Sequence, residues 1–285
     1  MSPQVAVGAV TLDLSRRIAV MAIVNRTPDS FFDRGATFAL EAAIAAGVSA
    51  VEQGADIVDV GGVKFAPGPP VPIEEELARV LPVVRELAPL VPVSVDTFRP
   101  EVAREAIAAG ATIINDTTGL HDPAMADVVA EGGATIVIAH SRASPRRPFA
   151  QPGYGDVVRE VSAFLTHRRQ FALERGIAPD RIVLDPGHDL NKNTLHSLEL
   201  TRRLAELGTL DAPLLVALSN KDFVGETLGR GRAERLAGSI TAAAFCVLQG
   251  ARIVRVHDVR PTVDAMRMLE AMLGWREPAY LRHNM

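Results

Sequence analysis

The chain has 285 residues, of which 48% are hydrophobic, and its formal net charge at pH 7 is −4. This length can bury one large core, and a chain of this size can still be a single domain when it folds as a barrel. The weakly acidic balance provides no basic field for nucleic acid or an anionic membrane, which favours a small-molecule partner. A lone cysteine, no apolar run of transmembrane length and no signal-peptide core at the amino terminus predict a cytoplasmic protein.

Short apolar runs rich in β-branched residues alternate with longer amphipathic stretches along the chain. This alternation predicts parallel strands joined by crossover helices. The predicted strands cover residues 18–25, 56–62, 92–97, 112–117, 135–140, 182–187, 213–219 and 253–258. The predicted helices lie near residues 38–53, 73–90, 99–109, 122–131, 154–175, 194–208, 232–249 and 261–274.

Eight strand–helix units without a break in composition favour a closed barrel over an open doubly wound sheet. No GxGxxG sequence follows the first strands, as it would in a dinucleotide-binding sheet. We therefore predict an α/β fold, a TIM (β/α)8 barrel, forming one domain over residues 1–285. The alternation within residues 1–17 predicts a short β-hairpin that caps the bottom of the barrel.

Polar residues stand at the carboxyl end of every predicted strand, where the catalytic groups of this fold collect. Any one of them is explained equally well by a hydrogen bond at the strand end. Eight strand ends with the same feature indicate a convergent site on one rim. In chain order these residues are Asn25, Asp59, Asp96, Asn115 with Asp116, His140, Asp185, Ser219 with Lys221, and Arg255 with His257 and Asp258.

The residue types suggest the chemistry of a ligand. The side chains of Asp96, Asn115 and Asp185 suit a flat heterocycle that carries several N–H groups and a carbonyl. Lys221 could donate to that carbonyl. The last strand has Arg255 and His257 two positions apart, so both side chains project to the same side and would suit a phosphate.

Eight motifs occur in register across nearly the whole chain: VNRTPDSFFDRG, DIVDVGG followed by PG, VSVDT, INDTTG, YGDVVREVSAFLTHR, LDPG, SNKDFVG and VRVHDV. In these motifs and their order the sequence resembles dihydropteroate synthase. The resemblance implies a TIM barrel and a pterin-type small molecule as partner. It also implies a reaction that joins 6-hydroxymethyl-7,8-dihydropterin pyrophosphate to p-aminobenzoate with loss of pyrophosphate, assisted by Mg²⁺.

The resemblance implies roles for particular residues around the pterin. Asp96, Asn115, Asp185 and Lys221 match the residues that hold the pterin ring, and all four are of the expected type. Asp33 matches the acidic residue of the first loop, which in the family helps to stabilise the cation formed as pyrophosphate leaves. Asp33 and Lys221 are therefore the predicted catalytic residues.

Other positions match the family's metal, anion and aminobenzoate residues. Asn25 matches the residue associated with magnesium and pyrophosphate, so it is the predicted metal ligand. Arg255 and His257 match the anion-binding pair of the last strand. Phe31 matches the aromatic that walls the p-aminobenzoate site, and Asp222 occupies the position that faces the carboxylate of p-aminobenzoate.

The sequence departs from the family most strongly in the second loop, where GGVKFAPG replaces the usual GGESTRPG. Phe65 and Ala66 stand where a Thr and an Arg would contact pyrophosphate. Each charge-assisted hydrogen bond lost is worth roughly 1.5 to 3 kcal/mol. If that binding acts mainly in the transition state, each loss slows the reaction by about tenfold to a hundredfold.

Two further departures concern the other substrates. Asp222 replaces a hydroxyl residue and would repel the aminobenzoate carboxylate unless a cation intervenes or the carboxyl is protonated. After the fifth predicted strand, AHSRASPRRP replaces a methionine-rich segment, and Ala139 and Ser141 leave a looser wall beside the pterin.

Several cations could compensate for the missing arginine, although an exposed loop cation usually has no partner. They are Arg26, Lys64, Arg142, Arg146 and Arg147. The sequence leaves open whether they bind a different anion.

Three other features are predicted to be structural or to form an interface. His188 and Asp189 lack a further His or Cys cluster, so they are predicted to be surface-loop residues and not metal ligands. Cys246 is predicted to pack as a small hydrophobe. The helix at 233–249 is apolar around much of its circumference, which, with the dimerisation common in the family, predicts a homodimer.

Three functions remain open. The chain is an active dihydropteroate synthase, a diverged paralogue that keeps the pterin pocket with weak or no synthase activity, or another pterin-using barrel such as a methyltetrahydrofolate methyltransferase. The last class lacks the TPDSF loop and the SNK and RVHDV stretches. The losses clustered at the pyrophosphate and aminobenzoate positions favour the diverged paralogue.

Overall fold

The computed structural model describes residues 4–26, 39–147 and 151–283. The chain begins with an antiparallel hairpin of β1 (Gln4–Val7) and β2 (Val10–Asp13). The turn between them uses Gly8 with φ of +61°, a left-handed conformation that glycine adopts without strain. Val5 and Val7 are buried against the amino-terminal end of the barrel interior. The predicted bottom cap is therefore confirmed.

Eight parallel strands form one sheet in the order β8, β7, β6, β5, β4, β3, β10, β9. A parallel bridge between Leu184 and Leu214 brings the two edges together, so the sheet curves round into a TIM barrel as predicted. The strands are β3 (Ala19–Asn25), β4 (Ile57–Gly61), β5 (Val93–Asp96), β6 (Ile113–Asp116), β7 (Thr135–Ala139), β8 (Ile182–Asp185), β9 (Leu215–Val216) and β10 (Ile253–Val256).

Helices lie between the strands and cover the outside of the sheet. They are α1 (Leu40–Glu52), α2 (Ile73–Leu87), α3 (Pro100–Ala108), α4 (Ala124–Gly132), α5 (Val157–Glu174), α6 (Thr194–Arg202), α7 (Asp222–Leu228), α8 (Leu236–Leu248) and α9 (Val259–Met272). Short 3₁₀ turns cover Pro179–Arg181, Leu204–Leu210 and Arg232–Glu234. None of the helices in the described part of the chain combines the length and apolar character needed to cross a lipid bilayer.

Most elements differ from their predicted bounds by a few residues, β9 is reduced to Leu215–Val216, and two helical segments differ in kind. The helix predicted at 194–208 ends at Arg202, and a 3₁₀ segment follows in which Leu204, Leu207 and Leu210 are buried. Their spacing of three matches the period of a 3₁₀ helix and puts them on one face, whereas an α-helix would spread them. Helix α7 was not predicted, because its seven residues are too few for a clear periodic pattern.

The strands separate two apolar layers. On β3, Val20 and Val24 belong to the layer packed under the helices, whereas Ala19 and Met21 belong to the layer that fills the barrel interior. Successive strand residues point to opposite faces, so this assignment fixes which face every later residue of a strand takes. The same alternation decides which polar residues at the strand ends face the mouth.

Candidate functional site

The alternation places one set of strand-end residues over the barrel interior. On β10 the inward positions continue from Ile253 to Arg255, and on β6 they continue from Ile113 to Asn115. The outward partners Ile114 and Val254 lie in the layer under the helices. By the same count the inward set is Asn25, Asp59, Asp96, Asn115, Asp185 and Arg255.

A buried ion-pair cluster lies at the centre of this set. The Arg255 guanidinium donates to Asp59 through Nε, 2.6 Å from Oδ2, and to Asp96 through Nη2, 2.9 Å from Oδ2. The Asn115 amide also donates to Asp59 Oδ2, at 3.3 Å. The Asp59 side chain is fully buried, so its charge depends on Arg255. Because Arg255 already serves two carboxylates, only part of its donor capacity is left for an anionic ligand.

Three atoms near the cluster have hydrogen-bonding capacity without a partner. Asp59 Oδ1, Asn115 Oδ1 and Ser94 Oγ are buried and unbonded within the described residues. Buried acceptors are normally paired, so free ones beside a mouth mark a place where N–H donors of a ligand would bind. The two orphan carbonyl-type oxygens therefore agree with the prediction of a flat heterocycle with several N–H groups.

The acidic groups of the site have shifted protonation. Burial raises the pKa of Asp96 to about 7, against the lowering effect of Arg255 and with a further rise from the Asp59 charge. Burial also raises the pKa of Asp185, against the lowering effect of Lys221. Near neutral pH, Asp96 can therefore be either a carboxylate acceptor or a carboxylic acid donor. Both states suit a ring that presents donors beside acceptors.

Asp185 ends β8 and Lys221 follows β9, on the side of the mouth opposite β4. Asp185 Oδ1 accepts from the Gly187 N–H at 2.7 Å, and Lys221 Nζ donates to the carbonyl of His188. Burial lowers the pKa of Lys221, while the charges of Asp189 and Asp185 oppose that change. The fold therefore places Asp96, Asn115, Asp185 and Lys221 at the carboxyl ends of barrel strands, and their role in holding a pterin stays a prediction.

Asn25 and His257 complete the rim beside the cluster. A Cβ built on Gly61 would lie 3.3 Å from Asn25 Oδ1 and 3.7 Å from Asp96 Cβ, so the amide oxygen sits close to the ends of β4 and β5. The His257 ring, through Nδ1, lies 3.1 Å from Ser219 Oγ, and its backbone N–H donates to the same oxygen at 3.2 Å. The predicted residues Asp33 and Phe31 lie outside the described residues.

Asp222 is paired with a cation. Its Oδ1 lies 2.8 Å from Nη1 of the largely buried Arg235, which also donates to the carbonyl of Asn220. From the sequence, Asp222 is expected to repel a carboxylate unless a cation intervenes or the carboxyl is protonated. Arg235 is such a cation, and it reduces the repulsion at this position.

Three of the predicted compensating cations have specific protein partners. Arg26 donates to the carbonyls of Ala78 and Arg79 at 2.9 and 2.8 Å. Arg142 lies over the Tyr154 ring and pairs with Glu160 at 3.3 Å.

Arg146 donates to the carbonyls of Lys64, Ala66 and Pro69, all in the second loop. Arg147 is exposed. The described arginines of this group are thus engaged with protein, except the exposed Arg147.

Two expectations about polar residues need correction. His188 is fully buried and stacked on Phe223, and neither ring nitrogen has a partner among the described residues. Asp189 binds the Phe223 N–H at 3.2 Å and the Ser197 hydroxyl at 3.0 Å, so it anchors the start of α7. The prediction of a polar surface loop was wrong, because His188 is buried against Phe223 and Asp189 is bonded to α6 and α7.

Two strand-end residues belong to the outer layer instead of the mouth. Asp116 accepts hydrogen bonds from the Thr118 and Leu120 N–H groups and so closes its own turn. His140 Nδ1 lies 2.8 Å from Nζ of the buried Lys192, which also donates to the Gly187 carbonyl at 2.8 Å. This link between the ends of β7 and β8 was not predicted, since nothing in the sequence connects His140 with Lys192.

Cys246 is buried, as predicted, and burial raises the pKa of its thiol to about 12, which keeps it protonated. Within the described ranges, no three His, Cys, Asp or Glu side chains are grouped to hold a metal ion. The strand-end residues thus form a mouth of three acids, two amides and two cations, namely Asp59, Asp96, Asp185, Asn25, Asn115, Arg255 and Lys221.

A barrel with this mouth is characteristic of enzymes that bind pterins. The chain belongs to the family described as pterin binding enzyme, whose model matches residues 21–257. Among curated proteins, it is 48% identical over 275 residues to inactive dihydropteroate synthase 2 of Mycobacterium leprae, covering 92% of this chain and 93% of the relative. It is 42% identical over 270 residues to dihydropteroate synthase of Escherichia coli, covering 94% and 95%.

Solved structures give the same result. The dihydropteroate synthase of Xanthomonas albilineans with 4-aminobenzoic acid superposes with a TM-score of 0.88 at 42% identity, covering 96% of this chain and 99% of that one. The Yersinia pestis enzyme in a sulfonamide drug complex gives a TM-score of 0.91 at 37% identity, covering 96% of this chain and 100% of that one. The resemblance seen in the sequence is therefore confirmed.

Proposed function

We propose that this chain binds a pterin in the barrel mouth and has weak or no dihydropteroate synthase activity. The observation that carries the proposal is the contrast between two parts of the site. The mouth retains Asp96, Asn115, Asp185 and Lys221, whereas the second loop has Phe65 and Ala66 in place of groups that could contact a diphosphate. The similarity to mycobacterial proteins named inactive dihydropteroate synthase 2 supports the same conclusion.

The mouth residues would bind the pterin ring by complementary hydrogen bonds. Asn115 Oδ1 and the carboxylate of Asp185 would accept from ring N–H groups, and Lys221 would donate to the ring carbonyl. Asp96, with its pKa raised to about 7, would serve as donor or acceptor. In the native condensation, Asp33 and Lys221 would act beside the breaking bond between the pterin methylene and the diphosphate. The weakened step would be departure of the diphosphate.

The residues present would bind the expected magnesium ion only together with the diphosphate of the substrate. Asn25 offers one amide oxygen near Gly61, and Mg²⁺ prefers oxygen ligands with most positions filled by water and substrate phosphates. The described residues provide no all-protein cage. When bound, the ion would neutralise charge on the leaving group. A chain with poor contacts to the diphosphate would therefore also bind magnesium weakly.

The experiment is a comparison of turnover with two affinities. Product would be measured from the pterin pyrophosphate and p-aminobenzoate, and binding would be measured by calorimetry for the pyrophosphate ester and for a plain pterin. We expect plain-pterin binding, weak binding of the ester and little product. Normal turnover would overturn the proposal. The variant carrying Phe65→Thr, Ala66→Arg and Asp222→Ser should recover part of the activity.

An active dihydropteroate synthase is the alternative, and one contact favours it. Arg235 forms an ion pair with Asp222, so the carboxylate of p-aminobenzoate would meet less electrostatic repulsion at this position than the sequence suggested. Asp222→Ser alone separates the two functions. If p-aminobenzoate binds equally well to the parent chain and to the variant, this position is not a defect.

We propose that the whole chain works as a single cytoplasmic domain that pairs with a second copy through α8. The side chains of Phe245 and Leu248 on this helix are 40% and 58% exposed. An apolar groove beside them is lined by Leu198, Val224, Leu228 and Ala242. Exposed apolar area of this kind is commonly covered in an assembly. A molecular mass from light scattering that stays monomeric at all concentrations would refute the dimer.

A further inference from the structure

Arg146 joins the loop after β7 to the loop after β4. Its Nη1 donates to the Ala66 carbonyl at 2.8 Å and to the Lys64 carbonyl at 3.4 Å, and its Nε and Nη2 donate to the Pro69 carbonyl at 3.1 and 2.9 Å. Two backbone bonds add to the contact, from the Arg146 N–H to Phe65 and from the Gly68 N–H to Arg146. We name this set of contacts the Arg146 clasp.

The clasp spans part of the rim of the barrel. In the sheet, β5 and β6 lie between β4 and β7, so the two joined loops come from strands that are not neighbours. The two loops together therefore bridge the part of the rim where β5 and β6 end, and these strands carry Asp96 and Asn115. The carboxyl-terminal end of the second loop is also held, because Arg99, which precedes α3, donates to the Val71 carbonyl at 2.6 Å.

The chain around the clasp is shaped to admit a guanidinium. A Cβ on Gly68 would collide with the guanidinium of Arg146, so glycine at this position lets the guanidinium lie where it does. Arg146 itself adopts φ of +62°, which is uncommon for a residue with a side chain. Within residues 4–26, 39–147 and 151–283 it pairs with carbonyl oxygens and with no carboxylate. Among these residues, no carboxylate forms an ion pair with this positive charge in the turn that contains Ala66.

Resting on the proposed function, we propose that Arg146 is a positioning residue that sets the specificity of the mouth. It fixes the second loop in one conformation and places a cation in the turn where the family carries its own arginine. A second guanidinium at position 66 would meet like charge there. The loop then favours a pterin without a diphosphate, and the changes Phe65→Thr and Ala66→Arg restore only part of the diphosphate binding while Arg146 holds the loop.

The first test measures the loop without any ligand. Hydrogen exchange of residues 61–71 would be compared in the parent chain, Arg146→Gln, Arg146→Lys and the control Arg147→Gln, which removes the same charge one residue away. We expect exchange at least about tenfold faster in Arg146→Gln, an intermediate value in Arg146→Lys and no change in the control, since lysine cannot reproduce the forked contacts. Gly68→Ala should behave like Arg146→Gln, because it expels the guanidinium without changing charge. Unchanged exchange in both would refute the clasp.

The second test measures specificity in the background of Phe65→Thr, Ala66→Arg and Asp222→Ser. Adding Arg146→Gln should raise affinity for the pterin pyrophosphate at least about tenfold over adding Arg147→Gln, with plain-pterin affinity unchanged. If the loop loosens but ester affinity does not rise, Arg146 has no role in specificity and the proposal fails. If no variant binds plain pterin, the proposed function fails. The hydrogen-exchange result would still show whether Arg146 holds the second loop in place.

Discussion

Replacing Arg255 by methionine should destabilise the fold strongly, because it removes the cation that pairs with two acids in the mouth. Asp59 is fully buried and Asp96 is 20% exposed, and each lies within 3 Å of the guanidinium. Breaking a buried pair by removing one partner costs about 3–5 kcal/mol. We expect a loss of this size in the free energy of unfolding, measured by urea denaturation at pH 8.

The loss should shrink in acid, because Asp96 can be protonated. Its pKa is about 7 in the folded chain and 3.8 without the fold, so the folded state binds more protons between these values. The stability due to this group is therefore fully present below pH 4 and is lost as pH rises through 7. Without Arg255 the pKa of Asp96 rises further, so the loss at pH 5 should be smaller than the loss at pH 8 by up to about 1.4 kcal/mol in total.

The matched control is Arg104→Met. Arg104 pairs with Glu131 at 2.9 Å, but both side chains are more than half exposed, so its loss should cost no more than about 1 kcal/mol at either pH. The reasoning is refuted if Arg255→Met is as mild as this control at pH 8, or if its effect does not depend on pH. Either result would mean that water already reaches the cluster.

Two further predictions concern buried groups beside the mouth. His188→Phe should raise the free energy of unfolding by about 1–3 kcal/mol, since it removes two unpaired buried nitrogens and keeps the stacking on Phe223; a loss of stability in thermal unfolding would show that the nitrogens have partners. Lys192→Met should cost about 1–3 kcal/mol by leaving the Gly187 carbonyl and the His140 nitrogen without a donor. Burial lowers the pKa of Lys192 to about 7, so its contribution grows as pH rises from 7 towards 10.5, and the variant should lack that rise when stability is measured at pH 7 and 9.

The sequence predicted the barrel and much of its mouth because both depend on short-range periodicity. Alternation along β10 places Arg255 on the inward face with no knowledge of the rest of the chain. The same rule, counted from Ile114, would have placed Asp116 outward, so that error was avoidable. The motif resemblance then supplied the roles of residues such as Lys221.

The contacts that could not be predicted join segments far apart in the chain through irregular backbone. Arg146 reaches the second loop across about eighty residues, and its φ of +62° has no signal in a non-glycine residue. Asp189 likewise has a positive φ, of +61°, that the sequence does not predict, and its neighbour His188 is buried although the local sequence is polar. Loop conformations of this kind are set by tertiary contacts and not by local pattern.

Because the ion-pair cluster contributes to stability, the presence of a complete pterin pocket does not by itself indicate catalytic activity. Asp59 is fully buried and depends on Arg255 to compensate its charge, so losing Arg255 costs stability whether or not a pterin ever binds. The side chains at positions 65 and 66 contribute no such charge pair, so a chain can lose them and still fold. Divergence that abolishes catalysis is therefore expected first in the loop and last in the mouth. For this reason an intact mouth is weak evidence for turnover. The affinity for the diphosphate ester is better evidence, because it depends on the second loop, whose side chains at positions 65 and 66 are not needed for folding.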